Sequence, residues 1–348
     1  MAGLFLSALA SLLPRVVAWV EMAVLLLGGN GLLGHNVLKL LLQRGYEVHA
    51  LLRNPVAIHT VGFPHLESLS IFKGSILSDD DLSRAALGCD AIINCAGTTD
   101  MSLLHYEDYL PVNRDLCGRL LQLMERQHIT RLVHTSTANT IGYGSPTCPA
   151  TEQESAQPPF SDSFYGRSKR EGECCLQEGA SCHPEGHIVI VNPGFMVGAY
   201  DTKPSSGALL LAAYRKPVML VPKGGKSFVH VADVAVAIVN ALIMGIHGNR
   251  YLVTGENLTL RQFYQLQAHV CGYRQRLLSV PNWLLFIVGF LGDVLRRCGV
   301  ATQVCTRNVR QLMVCEYYDA TAAHAELQLP TTSITQAISD FFCWNSSR

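Results

Sequence analysis

The chain has 348 residues, of which 49% are hydrophobic and 16% charged, so it can fill a core and is not a disordered chain. That length suits one large domain, or a nucleotide-binding domain with a smaller partner. Its 27 Lys and Arg balance 27 Asp and Glu, which gives no reason to expect nucleic acid as a partner.

Residues 1–21 form an apolar extension without a basic leading region, and Arg15 and Glu21 interrupt it before it reaches the length of a bilayer span. It is expected to be an added helical segment or a product of start-site choice. The first strand is expected at Ala23–Leu27, a continuous apolar run of the kind buried in parallel sheets. Gly28-Gly29-Asn30-Gly31-Leu32-Leu33-Gly34 follows and opens a helix over Leu32–Gln43, which Gly45 ends. Further strands are predicted at Tyr46–Leu52, Leu69–Phe72, Ala91–Cys95, Arg131–Thr135 and Ile188–Val191. Helices are predicted between them at Asp79–Leu87, Tyr106–Arg126 and Phe164–Glu178. This alternation predicts an α/β fold, a doubly wound parallel sheet with helices on both faces. Cys148–Ser163 is polar and Pro-rich and reads as a loop. After Pro193 the pattern changes, with helices at Leu260–Val270, Trp283–Arg297 and Thr332–Phe342.

The domain expectation is therefore a dinucleotide-binding unit over 22–194, rejoined by 227–243, and a smaller, discontinuous C-terminal substrate lobe of 195–226 and 244–348. The turn at residues 201–207 is a candidate substrate contact, although a plain turn is the leading reading of its Pro, Ser and Gly. The run Trp283–Leu291 with Arg296 and Arg297 is amphipathic. Core packing is the expectation there, ahead of contact with a membrane surface or an apolar substrate.

The glycine loop satisfies G-x-G-x-x-G between a strand and a helix, the context in which the chain turns tightly and a pyrophosphate meets the helix N-terminus. An NAD site places an acid about 20 residues on. Here Leu52-Arg53-Asn54 stands at the end of the second strand, and the Arg53 guanidinium suits a 2′-phosphate. NADP is thus the expected cofactor, with NAD as the alternative.

Tyr165 and Lys169 are four residues apart at the start of a helix and share one face. A tyrosine is too weak a base at neutral pH, and a neighbouring ammonium together with an oxidised nicotinamide would favour its phenolate. Tyr165 could then exchange a proton with a substrate oxygen. A hydroxyl at the end of the fifth strand should polarise that oxygen; Thr137 is the first choice and Ser136 the second. The twelve cysteines contain no C-x-x-C pair and read as reduced, buried thiols of a cytosolic, cytoplasmic protein. Cys174, Cys175, Cys182, His183 and His187 cluster without zinc spacing, so no metal is expected.

With these motifs the chain resembles the extended short-chain dehydrogenase/reductase family, which includes NAD-dependent epimerases and dehydratases and dihydroflavonol-reductase-like enzymes. The resemblance runs from about Ala23 to about Pro330. Its markers are Gly28–Gly34, Cys89–Gly97, Asn113, Thr135–Ala138, Tyr165–Lys169, Asn192-Pro193-Gly194 and Phe228–Ala235. It implies a Rossmann-type domain with Gly28, Gly31, Leu32, Leu33 and Gly34 at the dinucleotide. It also implies that Ala96 and Gly97 line the nicotinamide side, that Lys169 bonds the nicotinamide ribose, and that Asn192 and Pro193 lie beside the nicotinamide. The stretch Gly45–Arg53 looks like that of the NADP-using reductases. Two departures stand out: Gly74-Ser75 replaces the family's Gly-Asp, so the adenine contact is either weaker or made by Ser75, and Thr137 stands where serine is commoner.

The leading function is NADP-dependent carbonyl reduction or alcohol oxidation on a small or moderately apolar molecule. The alternatives are an NAD-dependent nucleotide-sugar epimerase or dehydratase, for which Lys203, Arg215 and Lys216 would be the cations on a diphosphate, and a non-catalytic nucleotide sensor. Sensors often lose the tyrosine or lysine, and both are present. The expected partners are a small-molecule substrate and, as an assembly, a homodimer.

Overall fold

The run Ala23-Val24-Leu25-Leu26-Leu27 has no polar side to turn to water, and the chain buries it whole as the central strand β1 (Ala23–Leu27). The structure is a computed structural model and describes residues 22–202 and 205–347; the expectations for residues 1–21 and for Lys203 lie outside the described residues. From β1 the chain enters α1 (Leu32–Gln43), which stops where Gly45 adopts a positive φ of 78°. Then come β2 (Glu47–Leu52), β3 (Leu69–Lys73), α2 (Asp79–Ala86), β4 (Ala91–Asn94), α3 (Leu116–Gln127), β5 (Arg131–Thr135), α4 (Phe164–Cys182) and β6 (His187–Pro193). Ser78 caps α2 through Asp81 N, and three aspartates in its first turn complement the helix dipole.

The stretch Tyr106–Arg126, expected as one helix, divides into a 3₁₀ turn at Tyr106–Tyr109, a π turn at Pro111–Asp115, and α3. Pro111 has no N–H to continue the helical ladder. The π turn aims Asn113 toward α4, a placement single-turn π bulges often serve at functional sites.

Beyond β6 lie β7 (Phe195–Val197), α5 (Gly207–Ala213), β8 (Val218–Val221), β9 (Gly225–His230), α6 (Val231–Ala241), β10 (Arg250–Val253) and β11 (Glu256–Thr259). The chain ends with α7 (Leu260–Val270), β12 (Arg276–Ser279), α8 (Asn282–Arg297), α9 (Thr306–Arg310), β13 (Cys315–Glu316), α10 (Thr321–Leu327) and α11 (Ile334–Ser346).

Seven strands form one parallel sheet in the order β10-β6-β5-β4-β1-β2-β3. The order reverses between β1 and β4, the switch point where open α/β sheets bind ligands. Val24 and Leu26 of β1 face a core shared with α1 and α6, whereas Ala23, Leu25 and Leu27 face one shared with α2, α3 and α4. β10 and Ala320, Ala323 and Leu327 pack into this sheet unit, although both lie in the stretch the sequence assigns to the substrate lobe. A second sheet, with β9 between β11 and β13 and also paired to β7, covers a third core built on α5, α7 and α11; there the rings of Phe228 and Phe263 stack at 4.2 Å.

Two expectations are corrected here. All twelve cysteines are free, but only Cys89, Cys117 and Cys305 are buried, and five, Cys174 and Cys182 among them, are exposed. The run Trp283–Leu291 does not enter the core: in α8 only Gly289 and Gly292 are buried. Among the described residues no helix is long and apolar enough to cross a membrane.

Candidate active site

A groove of about 450 Å³ opens at the carboxyl ends of the central strands. Gly28 leaves β1 with φ 77°, and a Cβ there would stand 2.7 Å from Ala96 N and Cys95 C at the end of β4. A Cβ on Gly34 would collide with the Gly28 carbonyl oxygen, so the first turn of α1 presses directly on the strand exit. Gly31 differs: its Cβ would meet only Gly28 O, at 3.5 Å, so the position is open toward the groove at the start of α1. Two glycines hold the turn closed and the third leaves bare backbone where a phosphate would sit. The residues present therefore fit a dinucleotide.

Every expected cofactor residue from Gly28 to Lys169 lines this groove: Gly28, Gly31, Leu32, Leu33, Gly34, Arg53, Ser75, Ala96, Gly97 and Lys169. Arg53 is exposed just past β2, and among the described residues no carboxylate pairs with it. Among the described residues the one acid in the groove wall, Asp201, is occupied: it accepts hydrogen bonds from Ser205 N at 3.0 Å and Gly207 N at 2.7 Å. Ser75 donates its N–H to Asp81 Oδ2 at 2.9 Å, and its hydroxyl accepts from Leu77 N. The acid missing from the Gly74-Ser75 pair thus has a counterpart in α2, beneath the loop rather than in the groove.

Asn192 and Pro193, expected beside the nicotinamide, are buried in β6 and are not part of the groove wall. Asn192 Nδ2 instead donates to Thr137 O at 3.1 Å, Thr140 Oγ1 at 3.0 Å and Glu173 Oε1 at 2.5 Å. It holds the end of β5 from below.

Tyr165 and Lys169 both reach the groove from the first turns of α4, whose N-cap is Ser163. Lys169 Nζ donates to Thr135 O at 2.9 Å and Ala96 O at 3.4 Å, and burial holds its amine below the usual lysine range. The Tyr165 phenol is pushed up by burial, pulled down by the Thr137 hydroxyl and pushed up by Glu173. Lys169 is anchored on the carbonyls at the ends of β4 and β5, and the Thr137 hydroxyl acts to lower the phenol. Thr137, the first choice for the polarising hydroxyl, is not part of the groove wall, and its Oγ1 also accepts from Asn139 N at 3.3 Å. Ser136 lines the groove, its hydroxyl buried near the Glu173 carboxyl without a well-formed hydrogen bond.

Sequence reasoning missed Glu173. It lies one further turn along the Tyr165–Lys169 face, and that spacing was the available signal. Its Oε1 accepts from Thr140 Oγ1 at 2.7 Å, Arg250 approaches Oε2 at 3.6 Å, and burial pushes its carboxyl up. Asn113 binds the loop after β4 to α4: it accepts from Thr98 N at 2.8 Å and donates to Ser168 Oγ at 2.9 Å. His134 beneath is fully buried, and burial drives its imidazole well below the usual range, so it is neutral.

A larger hollow over α3 and α4, about 810 Å³, is lined by Arg114, Arg119, Arg167 and Glu171 and holds none of these residues. His183 and His187 are engaged elsewhere, with Glu125 Oε1 at 2.8 Å and Ala241 O at 2.8 Å.

Comparison with known proteins gives consistent matches. The profile of the NAD dependent epimerase/dehydratase family matches residues 24–254. A protein provisionally named dihydroflavonol 4-reductase from Synechocystis sp. is 29% identical over 94% of this chain and 96% of its own. Sterol demethylase protein B of Methylococcus capsulatus is 27% identical over 94% of this chain and 99% of its own. Among solved structures, the UDP-glucose 4-epimerase of Thermotoga maritima, in complex with UDP-glucose, superposes with a TM-score of 0.75 at 17% identity, covering 94% of this chain and 99% of its own.

Proposed function

This chain belongs to the NAD dependent epimerase/dehydratase family and is an NAD(P)-dependent oxidoreductase of the extended short-chain dehydrogenase/reductase type, and from that premise we propose that it is an NADP-preferring reductase of an apolar carbonyl compound. The observation that carries the reading is the meeting of Tyr165, Lys169 and the hydroxyl-bearing end of β5 in one groove, with Arg53 unpaired at its edge. A nicotinamide held there would supply or accept the hydride. Tyr165 gives the proton to the carbonyl oxygen, or takes it in the reverse direction, and Thr137 steadies the phenol from behind the groove wall. Lys169 has three donors; two are committed to Thr135 and Ala96, which leaves one for a ribose hydroxyl. Arg53 takes the 2′-phosphate, and Gly31 gives the pyrophosphate its bare backbone.

The apolar substrate class draws on the relatives, whose names include a dihydroflavonol and a sterol. The nucleotide-sugar reading would need cations for a diphosphate, and neither Arg215 nor Lys216 lines the groove; the Arg215 guanidinium lies over the Tyr214 ring.

Fluorescence titration tests the cofactor. NADPH should bind more tightly than NADH, and Arg53→Asp should weaken NADPH by about tenfold or more, the worth of a charge-assisted hydrogen bond. A screen of apolar ketones, alcohols and nucleotide sugars then tests the substrate. Equal affinities unchanged by Arg53→Asp would remove the NADP preference, and turnover of nucleotide sugars alone would remove the substrate class.

A further inference from the structure

α8 is built with its amphipathicity reversed. Its face toward the protein carries Gly289 and Gly292, where a Cβ would press on Thr306 and collide with the Val304 carbonyl oxygen. Its large apolar side chains point the other way: Trp283 is 63% exposed, Phe290 60% and Leu291 57%, with Phe286, Ile287 and Val294 also exposed on the same arc. These residues recur at i, i+3, i+4, i+7, i+8 and i+11, one continuous stripe. A core helix would bury that stripe and expose its glycines. Apolar faces of this extent mark binding surfaces.

The charge around the stripe names the occupant. Residues 271–315 hold six arginines and a single acid, Asp293, and that acid is turned inward to accept from Thr306 N at 3.2 Å; Arg307 stacks on Phe164 and Arg310 pairs with Asp162, which leaves Arg274, Arg276, Arg296 and Arg297 without a carboxylate among the described residues. A second copy meeting this face by two-fold symmetry would set the arginine excess against itself. An anionic lipid surface complements both the stripe and its basic margin. The helix spans about 24 Å at 1.5 Å per residue, too short to cross a hydrocarbon core of about 30 Å, so it would lie in the plane of the interface.

We propose that α8 docks this protein on the surface of an anionic phospholipid bilayer. The docking helix is also tied to chain that adjoins the groove. Arg296 Nη1 donates to Ser102 O at 3.0 Å and Asn308 Nδ2 to Met101 O at 3.1 Å, which holds the α8–α9 hairpin on the segment that follows Thr98 and Thr99 of the groove wall. The Arg307 guanidinium lies 3.5 Å from the centroid of the Phe164 ring, next to Tyr165. The hairpin that carries the docking helix is thus fastened to the segments next to the groove. The proposal stands on α8 and does not depend on the reductase reading.

Flotation of the full chain tests it, with vesicles of phosphatidylcholine and phosphatidylglycerol in equal amounts and with phosphatidylcholine alone. The wild type should float with the mixed vesicles and bind phosphatidylcholine several-fold more weakly. The double substitution Phe290→Glu, Leu291→Glu should lower the bound fraction at least tenfold while leaving NADPH titration and thermal midpoint unchanged. Arg297→Glu, which leaves the apolar stripe intact, should weaken binding to the mixed vesicles alone. A blue shift of tryptophan emission on vesicle addition should vanish in Trp283→Phe. Wild-type protein that fails to float overturns the proposal, as does a double variant that floats as the wild type does. A dimer in sedimentation that the double variant converts to monomer, without vesicle binding by either, would assign the face to a second copy instead.

Discussion

Among the glycines that bring backbone against backbone, those at residues 28–34 and those at residues 289 and 292 make an instructive pair. In the first, Gly28 and Gly34 let α1 press on the exit of β1, and the space kept clear at Gly31 faces a groove ringed by Arg53, Tyr165 and Lys169. In the second, the glycines let α8 lie flat on residues 304–306, and what they displace outward is a row of Trp, Phe, Ile and Leu. The same steric device serves a concave polar site in one case and an apolar outer face in the other. What separates them is the neighbouring side chains: hydroxyls, an amide and two cations in the groove, large hydrocarbons on α8. A glycine pattern therefore reports close backbone approach, and the residues between the glycines report its purpose.

The largest effect that would sharpen this contrast belongs to the groove. Tyr165→Phe removes one oxygen and should lower turnover by about 10²-fold or more, the typical contribution of a general acid or base, with cofactor affinity nearly unchanged. Lys169→Ala should reduce both binding and turnover, because the carbonyl anchors at Thr135 and Ala96 and the ribose contact vanish together. Thr137→Ala should cost less than Tyr165→Phe, and adding Ser136→Ala should show whether the neighbouring hydroxyl substitutes. Steady-state kinetics with cofactor titration reads all four variants. Near-wild-type turnover in Tyr165→Phe would leave the groove without its proposed acid.

The glycines themselves come next. Gly34→Ala drives a methyl group into the Gly28 carbonyl and should destabilise the fold by about 1–3 kcal/mol, the range of overpacking. Gly31→Ala meets only an ordinary contact, so thermal midpoint should hold while NADPH affinity falls. Gly292→Ala should resemble Gly34→Ala in stability and leave cofactor titration alone. If Gly31→Ala bound NADPH like the wild type, the phosphate would not sit over this turn.

Much of the sheet unit was legible in the sequence because its signals are local. A five-residue apolar run, a glycine turn and a helix stripe each lie within one window, and β1, α1 and β5 fall where the pattern puts them. The groove residues from Gly28 to Lys169 were legible for the same reason. What was not legible depended on distant partners. Asn192 turns beneath β5 because Glu173 and Thr140 wait there, and nothing in Asn192-Pro193-Gly194 says so. The helix expected over Tyr106–Arg126 breaks at Pro111, a residue visible in the sequence but outweighed by the flanking periodicity. The outward turn of α8 was misread because periodicity gives the stripe and not its direction; the glycines opposite it were the unread clue.

The smallest effect concerns the buried carboxyl beneath the groove. Glu173 is a buried carboxyl held by Thr140 and Asn192, and burial raises its pKa above that of a free glutamate. The unfolded chain therefore releases this proton first, near the ordinary value of about 4.3, while the folded protein keeps it. Over the interval between the ordinary and the raised value the folded state binds more protons, so the contribution of Glu173 to stability falls as pH rises. Below that interval both states are protonated and above it both are ionised, so the contribution is flat on either side. The slope cannot exceed one proton, about 1.4 kcal/mol per pH unit. Glu173→Gln keeps an oxygen able to accept from Thr140 and Asn192 but cannot ionise. Its amide would face Arg250, which adds an offset independent of this carboxyl's titration. Denaturant melts of the wild type and Glu173→Gln across a pH series should give a stability difference, wild type minus variant, that declines with pH inside the interval and levels beyond it. Glu316, also raised by burial, titrates in both proteins and cancels. A difference that stays flat through the whole series would mean that Glu173 is ionised as readily in the fold as in the free chain, and that Arg250 and the hydroxyls compensate its burial in full.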